Sequence, residues 1–305
     1  MIVLIGIEGA EGDARIPNSS YAGSFIYELV KGWSGSSEYI RGPSSRAKGI
    51  MPTATIAMQR AAVLYNANRA DGLILAGYSR GGAAAIVAAQ LLQKSGIVVD
   101  YMALFDAIER DPSVAAGEIG ANVLTATHAR RSQSADSRPL WGNCGLQATN
   151  NLLLCNFHVT HWGASGVPRH KGIPPGKDPT DFVTEPDLVR GGERQTGVTW
   201  QQEIDNTTVL KNFMHQHMVQ ACQRIRPGKG GGVRQHTVSA GQTLSSIAGY
   251  YWQDVLLWPL LHDTNKITIG SDPNQLKIGQ LLTVPDLQSF TPGQISDARK
   301  RGRQW

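Results

Sequence analysis

The chain has 305 residues, of which 41% are hydrophobic and 17% charged, and a formal net charge of +5. That profile excludes a disordered chain and allows one large and one small packed domain. No apolar run of about 18 residues occurs, so no transmembrane segment is expected. The mild basicity singles out no partner, and nucleic acid is not expected to be one.

The opening MIVLIGIEGAEGD lacks a basic leader and is broken by Gly6 and Glu8. It reads as a first strand, Val3–Ile7, and a Gly-rich turn rather than as a signal peptide. The expectation is a protein made in the cytoplasm without a cleavable signal, with export to the periplasm or cell envelope left open. Residues 53–68 carry helix formers at helical apolar spacing. Leu73–Ala76 is a short apolar run of the buried-strand kind, and 80–94 predicts a helix packed through small residues. Ile97–Phe105 and Ala121–Ala126 predict two further strands. Strands alternating with helices place the chain in the α/β class, with a mainly parallel sheet covered by helices on both faces.

Residues 129–195 lack a clear period and are expected to shape a pocket. Residues 199–225 predict an amphipathic helix whose apolar face carries Ile204, Val209, Phe213, Met218, Cys222 and Ile225. The segment RPGKGGGVR, 226–234, reads as a linker. It divides a domain over 1–225 from a small one over 235–286, and 287–305 reads as a basic, solvated tail. The three cysteines, Cys144, Cys155 and Cys222, are too few and too irregularly spaced for a disulfide framework or a zinc site.

Gly77-Tyr78-Ser79-Arg80-Gly81 matches G-x-S-x-G, with an apolar strand before it and a small-residue helix after it. This is the setting in which a strained strand-to-helix turn lifts a serine hydroxyl clear, and the glycines let strand and helix approach. The competing structural reading is a serine that only caps the helix. The Arg80 N–H is the expected first oxyanion donor, and the second is expected from the turn at Gly9 or Ala10. A serine nucleophile needs a base and the base an orienting acid. Asp106 closes the strand VVDYMALF at the end that faces the ligand crevice of a parallel sheet, with Asp178 and Asp181 as fallback acids.

Of eight histidines, His158 and His161 lie in the loop NFHVTHWGASGVP, placed to swing over the nucleophile. His128 is crowded by Arg130 and Arg131, and the remaining histidines sit in predicted helices, among basic neighbours or in the second domain. HxxH at 158 and 161 lacks a helical HExxH setting and a third ligand, so neither a metal nor another cofactor is expected.

Taken together, GYSRGG, LFDAIERD and THWGASGVP resemble an α/β-hydrolase family that includes type VI secretion phospholipase effectors. The resemblance spans residues 1–225. It implies Ser79 as nucleophile, Asp106 as acid and His161, rather than His158, as base. It also implies a lipid or other ester as substrate and an antibacterial role. IEGAEGD resembles the family's opening turn beside the oxyanion site, with Glu8 where an aspartate is usual; Ser165-Gly166 replaces a Gly pair.

In the second domain, HTVSAGQTLSSIA, LWPLLHDTNK with Asn265, and IGQLLTVP resemble a LysM module, and the segment itself reads strand, helix, helix, strand. The resemblance implies binding of N-acetylglucosamine-containing glycan, peptidoglycan or chitin, through Gly241, Thr243, Leu244, Asn274 and Leu276. Two functions of different class follow. One is a serine ester hydrolase carried to a glycan; the other is a glycan-binding protein whose first domain is a silent scaffold.

Overall fold

The chain's computed structural model describes all residues except 10–20, 44–48, 68–69, 112, 167–171, 188, 226–233, 239–240, 253, 286, 288–289 and 304–305. It divides into two compact units, Met1–Ile225 and Arg226–Trp305. The first unit opens with β1 (Ile2–Ile7), α1 (Phe25–Lys31), β2 (Ser36–Ile40), α2 (Ile50–Ala67), β3 (Gly72–Tyr78) and α3 (Arg80–Lys94). It continues with β4 (Tyr101–Phe105), β5 (Glu118–Ile119), β6 (Thr125–Arg131), β7 (Gln147–Ala148) and β8 (Asn151–Phe157). A hairpin of β9 (Phe182–Pro186) and β10 (Glu193–Thr199) leads into the long helix α4 (Trp200–Ile225).

Six strands form one sheet in the order β2-β1-β3-β4-β6-β8, and every pairing in it is parallel. Alternation along the strands divides the core between the two faces. Val3, Ile5, Ile7, Leu73 and Leu75 meet α2 and α3 on one face. Ile2, Leu4, Ile74 and Ala76 meet Phe25 and Ile26 of α1 and Leu210, Met214 and Met218 of α4 on the other. Central strands buried on both sides explain the unbroken apolar runs of β1 and β3. The result is a parallel α/β sheet with helices on both faces, as the strand and helix alternation predicts. The strand order reverses between β1 and β3, and the carboxyl ends there bound the crevice in which such sheets take ligands.

Several local expectations shift. β6 starts at Thr125 rather than near residue 121, because Asn122 turns its amide onto the Ala89 and Ile97 carbonyls at 2.8 and 3.1 Å. The buried face of α4 runs through Trp200, Glu203, Thr207, Leu210, Met214, Met218 and Ala221, whereas Val209 is 55% exposed. The aperiodic 129–195 stretch contributes β8 to the main sheet and contains all of β9. Among the described residues no helix is long and apolar enough to cross a membrane.

In the second unit β11 (Arg234–Thr237) pairs antiparallel with β12 (Leu281–Val284). Between them lie α5 (Leu244–Trp252), α6 (Trp258–Thr264) and the short α7 (Lys266–Ile269). Asn265 pins this layer, its side chain bonding the Thr283 N–H and carbonyl at 2.7 Å each. The segment read as a basic tail instead contains α8 (Pro292–Gly302), which starts with a Thr291–Gln294 capping box. Ala298 is fully buried in this unit's core, and Arg299 and Arg301 pair with Asp254 and Asp263. Those charges are paired within the unit on a docked helix, so net charge alone concealed the packing.

Candidate active site

Ser79 sits between β3 and α3 with φ 53° and ψ −126°, a left-handed conformation that costs a non-glycine residue free energy. Its side chain makes no capping hydrogen bond to α3, which removes the capping explanation for a serine here. The turn admits no side chain at its flanking glycines. A Cβ on Gly77 would lie 2.5 Å from the Gly81 carbonyl oxygen, and one on Gly81 would lie 2.1 Å from that of Glu8. Neighbouring backbone locks the turn: Ser79 N–H donates to the Phe105 carbonyl and Ile108 N–H to the Ser79 carbonyl, each at 3.0 Å.

Asp106 ends β4 beside this turn and is itself left-handed, with φ 43°. Its buried carboxylate accepts from His161 Nδ1 at 2.6 Å, from Asn143 Nδ2 at 2.7 Å and from the Arg131 guanidinium. Burial alone would raise its pKa, but the hydrogen bond and charge of His161, with Arg131 and Asn143, outweigh burial and hold the acid ionised.

His161 completes the line, its Nε2 lying 3.0 Å from Ser79 Oγ. His161 is 4% exposed, its backbone N–H donates to Ser137 Oγ at 2.9 Å, and its backbone carbonyl accepts from Tyr78 Oη at 2.9 Å. Burial lowers the imidazole pKa; Asp106 opposes that, while Arg131 and Arg138 add to it, leaving a net downward shift. A neutral imidazole with Nδ1–H on a carboxylate presents a free lone pair at Nε2 to a serine hydroxyl. His158 is placed elsewhere: its ring bonds the Ser132 and Ser134 hydroxyls and the Gly197 carbonyl. Asp178 and Asp181 serve an exposed turn, where Asp178 accepts from Thr180 and Asp181 from the Asp178 N–H.

Of the expected oxyanion donors, the Arg80 N–H heads α3 with no backbone acceptor among the described residues, so it remains open toward the nucleophile. Gly9 requires a correction. Its N–H donates to Glu8 Oε1 at 2.9 Å, so it is engaged rather than open. Glu8 is itself fixed by Ser24 at 2.6 Å and Tyr39 at 3.2 Å. Ala10 lies outside the described residues.

Three supporting features escape the sequence reading. Arg131 bridges Asp106 to the Ser137, Arg138 and Trp141 carbonyls, tying the acid to the loop beneath the base. Glu203 of α4 accepts the Thr160 N–H at 2.8 Å and its hydroxyl, anchoring the residue before His161. Trp141 and His161 pack with their rings near perpendicular, centroids 5.2 Å apart, and Arg138 lies over both Trp141 and Trp162. Beyond Trp141 a cavity of about 360 Å³ is lined by Arg138, Pro139, Leu140, Pro186 and Val189.

Among the glycan-binding candidates, Leu244 is 3% exposed in the core of its unit, and Leu276 packs partly against the same core. The Leu244 side chain is therefore not a ligand contact. It faces inward because it opens the buried stripe of α5. Gly241, Thr243 and Asn274 are exposed.

No protein-family model and no curated protein sequence matches the chain. Among solved structures, a Vlm2 thioesterase domain bound with a dodecadepsipeptide aligns with 11% identity and a TM-score of 0.36, covering 55% of this chain and 88% of that one. RedJ, a thioesterase from the prodiginine pathway of Streptomyces coelicolor, aligns with 13% identity and a TM-score of 0.34, covering 55% of this chain and 81% of that one. A cutinase-like protein from Cryptococcus sp. aligns with 21% identity and a TM-score of 0.25, over 34% of this chain and 51% of that one.

Proposed function

We propose that the chain is a serine ester hydrolase with Ser79 as nucleophile, His161 as general base and acid, and Asp106 as orienting acid. The observation that carries this is the unbroken line from Asp106 through His161 to a strained, uncapped Ser79, at 2.6 and 3.0 Å. Ser79 Oγ attacks the ester carbonyl carbon as His161 Nε2 takes its proton, and the oxyanion meets the Arg80 N–H. His161 then protonates the departing alcohol. Water, deprotonated by His161, hydrolyses the acyl-serine to the free acid. Because burial pushes the imidazole pKa below the ordinary histidine value, the acid limb of kcat/KM is expected at lower pH than an unperturbed histidine would give. A panel of 4-nitrophenyl esters of short and long acyl chains tests the assignment. Wild type is expected to turn over, and Ser79→Ala to lose at least about 10⁴-fold in kcat/KM. Equal rates for the two proteins would remove Ser79 from the reaction.

We further propose that the second unit is a LysM-like module that carries the hydrolase to peptidoglycan or chitin, and that the pair acts at the cell envelope as an antibacterial lipase. The two-stranded pairing of β11 and β12 around α5–α7 and the sequence resemblance support this reading, with exposed Gly241, Thr243 and Asn274 as the glycan-facing positions. Retention of the full chain on insoluble peptidoglycan, weakened by Asn274→Ala, is the expected result. Passage of the wild type through peptidoglycan and chitin alike would refute it. Retention without any ester turnover would favour a glycan-binding protein built on a silent scaffold.

A further inference from the structure

Arg80, the residue after the nucleophile, is only 6% exposed, yet its guanidinium has no carboxylate partner among the described residues. Burial and the nearby charge of Arg110 both lower its pKa, and among the described residues neither cation has a carboxylate partner. Arg110 reaches over the Trp141 ring at 5.2 Å from its centroid, and that ring meets the His161 imidazole. The Arg110 guanidinium therefore stands over the ring that flanks the base, while Arg80 directly follows the nucleophile at the head of α3.

The buried carboxylates around them are occupied elsewhere. Asp106 is held by His161, Arg131 and Asn143; Glu185 by Ser137, Arg138 and Arg194; Glu203 by Thr160. Glu8 takes Ser24, Tyr39 and the Gly9 N–H. Glu109, next in sequence to Arg110, pairs with neither arginine and leaves one buried carboxyl oxygen without a hydrogen bond. The Arg80 guanidinium keeps solvent-reachable nitrogens on a buried stem, and its planar fork suits carboxylate and phosphate oxygens. The head of α3 adds its positive dipole end at the same place.

We propose that Arg80 and Arg110 form an anion subsite beside Ser79, and that the substrate is an ester bearing a carboxylate or phosphate group near the scissile bond. This rests on the serine hydrolase reading above and specifies the substrate class of that site. Hydrolysis releases an acid and an alcohol, one of which retains the anionic group.

Two matched ester pairs test it, on wild type and on Arg110→Gln, whose exposed position makes misfolding an unsuitable explanation for any change. One pair is 4-nitrophenyl butyrate and the 4-nitrophenyl monoester of glutaric acid, which carries its carboxylate on the acyl side. The other is monobutyrin and its glycerol 3-phosphate counterpart, which carries phosphate on the alcohol side. Wild type is expected to prefer the anionic member of at least one pair by about tenfold or more in kcat/KM, and Arg110→Gln to abolish that preference. The pair that responds identifies the side and chemistry of the anion. Preference below twofold in both pairs, or preference that survives Arg110→Gln, overturns the subsite. Fluorophosphonate labelling of the same samples separates the two levels. A Ser79 adduct with flat preferences removes the subsite alone, whereas no adduct and no turnover removes the hydrolase reading and the subsite with it.

Discussion

Replacing Asp106 by asparagine is expected to lower kcat/KM for ester hydrolysis by about 10⁴-fold. An amide cannot hold the Nδ1–H tautomer as a carboxylate does, so the ring can present a protonated Nε2 to Ser79, with no lone pair to take the hydroxyl proton. The substitution also removes the interaction that raises the His161 pKa against burial, leaving a weaker base. The side chain lost is fully buried and shared with Arg131, so the variant strands a buried guanidinium and is expected to cost about 3–5 kcal/mol of stability as well. Steady-state kinetics at a temperature where circular dichroism shows the variant folded separates the two effects. A loss of less than about tenfold in a folded variant would mean that Asp106 serves Arg131 rather than the imidazole.

The second large effect is expected at Arg131. Its guanidinium contacts Asp106 and three carbonyls of the 137–141 loop, so Arg131→Gln is expected to loosen both the acid and the loop under His161. Displacement of a reacting group by about 1 Å can cost about 10²-fold, and a drop of that order in kcat/KM at pH 7 is expected. The pH profile distinguishes this from simple damage. Arg131 is one of the charges that lower the His161 pKa, so removing it raises that pKa. The acid limb of kcat/KM should then move to higher pH, because a more basic imidazole stays protonated, and inactive as a base, up to a higher pH. A uniform loss with an unmoved limb would assign Arg131 a packing role only.

The residues legible in the sequence share a physical trait: each lies where a strand ends at the ligand side of a parallel sheet. Ser79 is announced by flanking glycines that the backbone requires, and Asp106 by its place at the end of an apolar strand. His161 was separable from His158 only through the resemblance, since both lie on one loop after one strand. What the sequence did not show are partnerships across long separations. Arg131 and Asp106 are 25 residues apart, and Glu203 and Thr160 are 43. No local period encodes either pair. β2 lies at a sheet edge, and the mixed exposure of its residues weakens the apolar signal that marks central strands. The helix α8 was hidden for a related reason, its charges being read as a solvated terminus when Ala298 and Gly302 pack inward.

The claim on which all of this depends is that Ser79 is an activated nucleophile. Incubating wild type, Ser79→Ala and His161→Ala with a fluorophosphonate and weighing the intact proteins tests it most directly. One adduct on wild type, placed on Ser79 by peptide mapping, with none on Ser79→Ala and slowed labelling of His161→Ala, is the predicted result. No adduct on folded wild type, or an adduct that persists in Ser79→Ala, would contradict it.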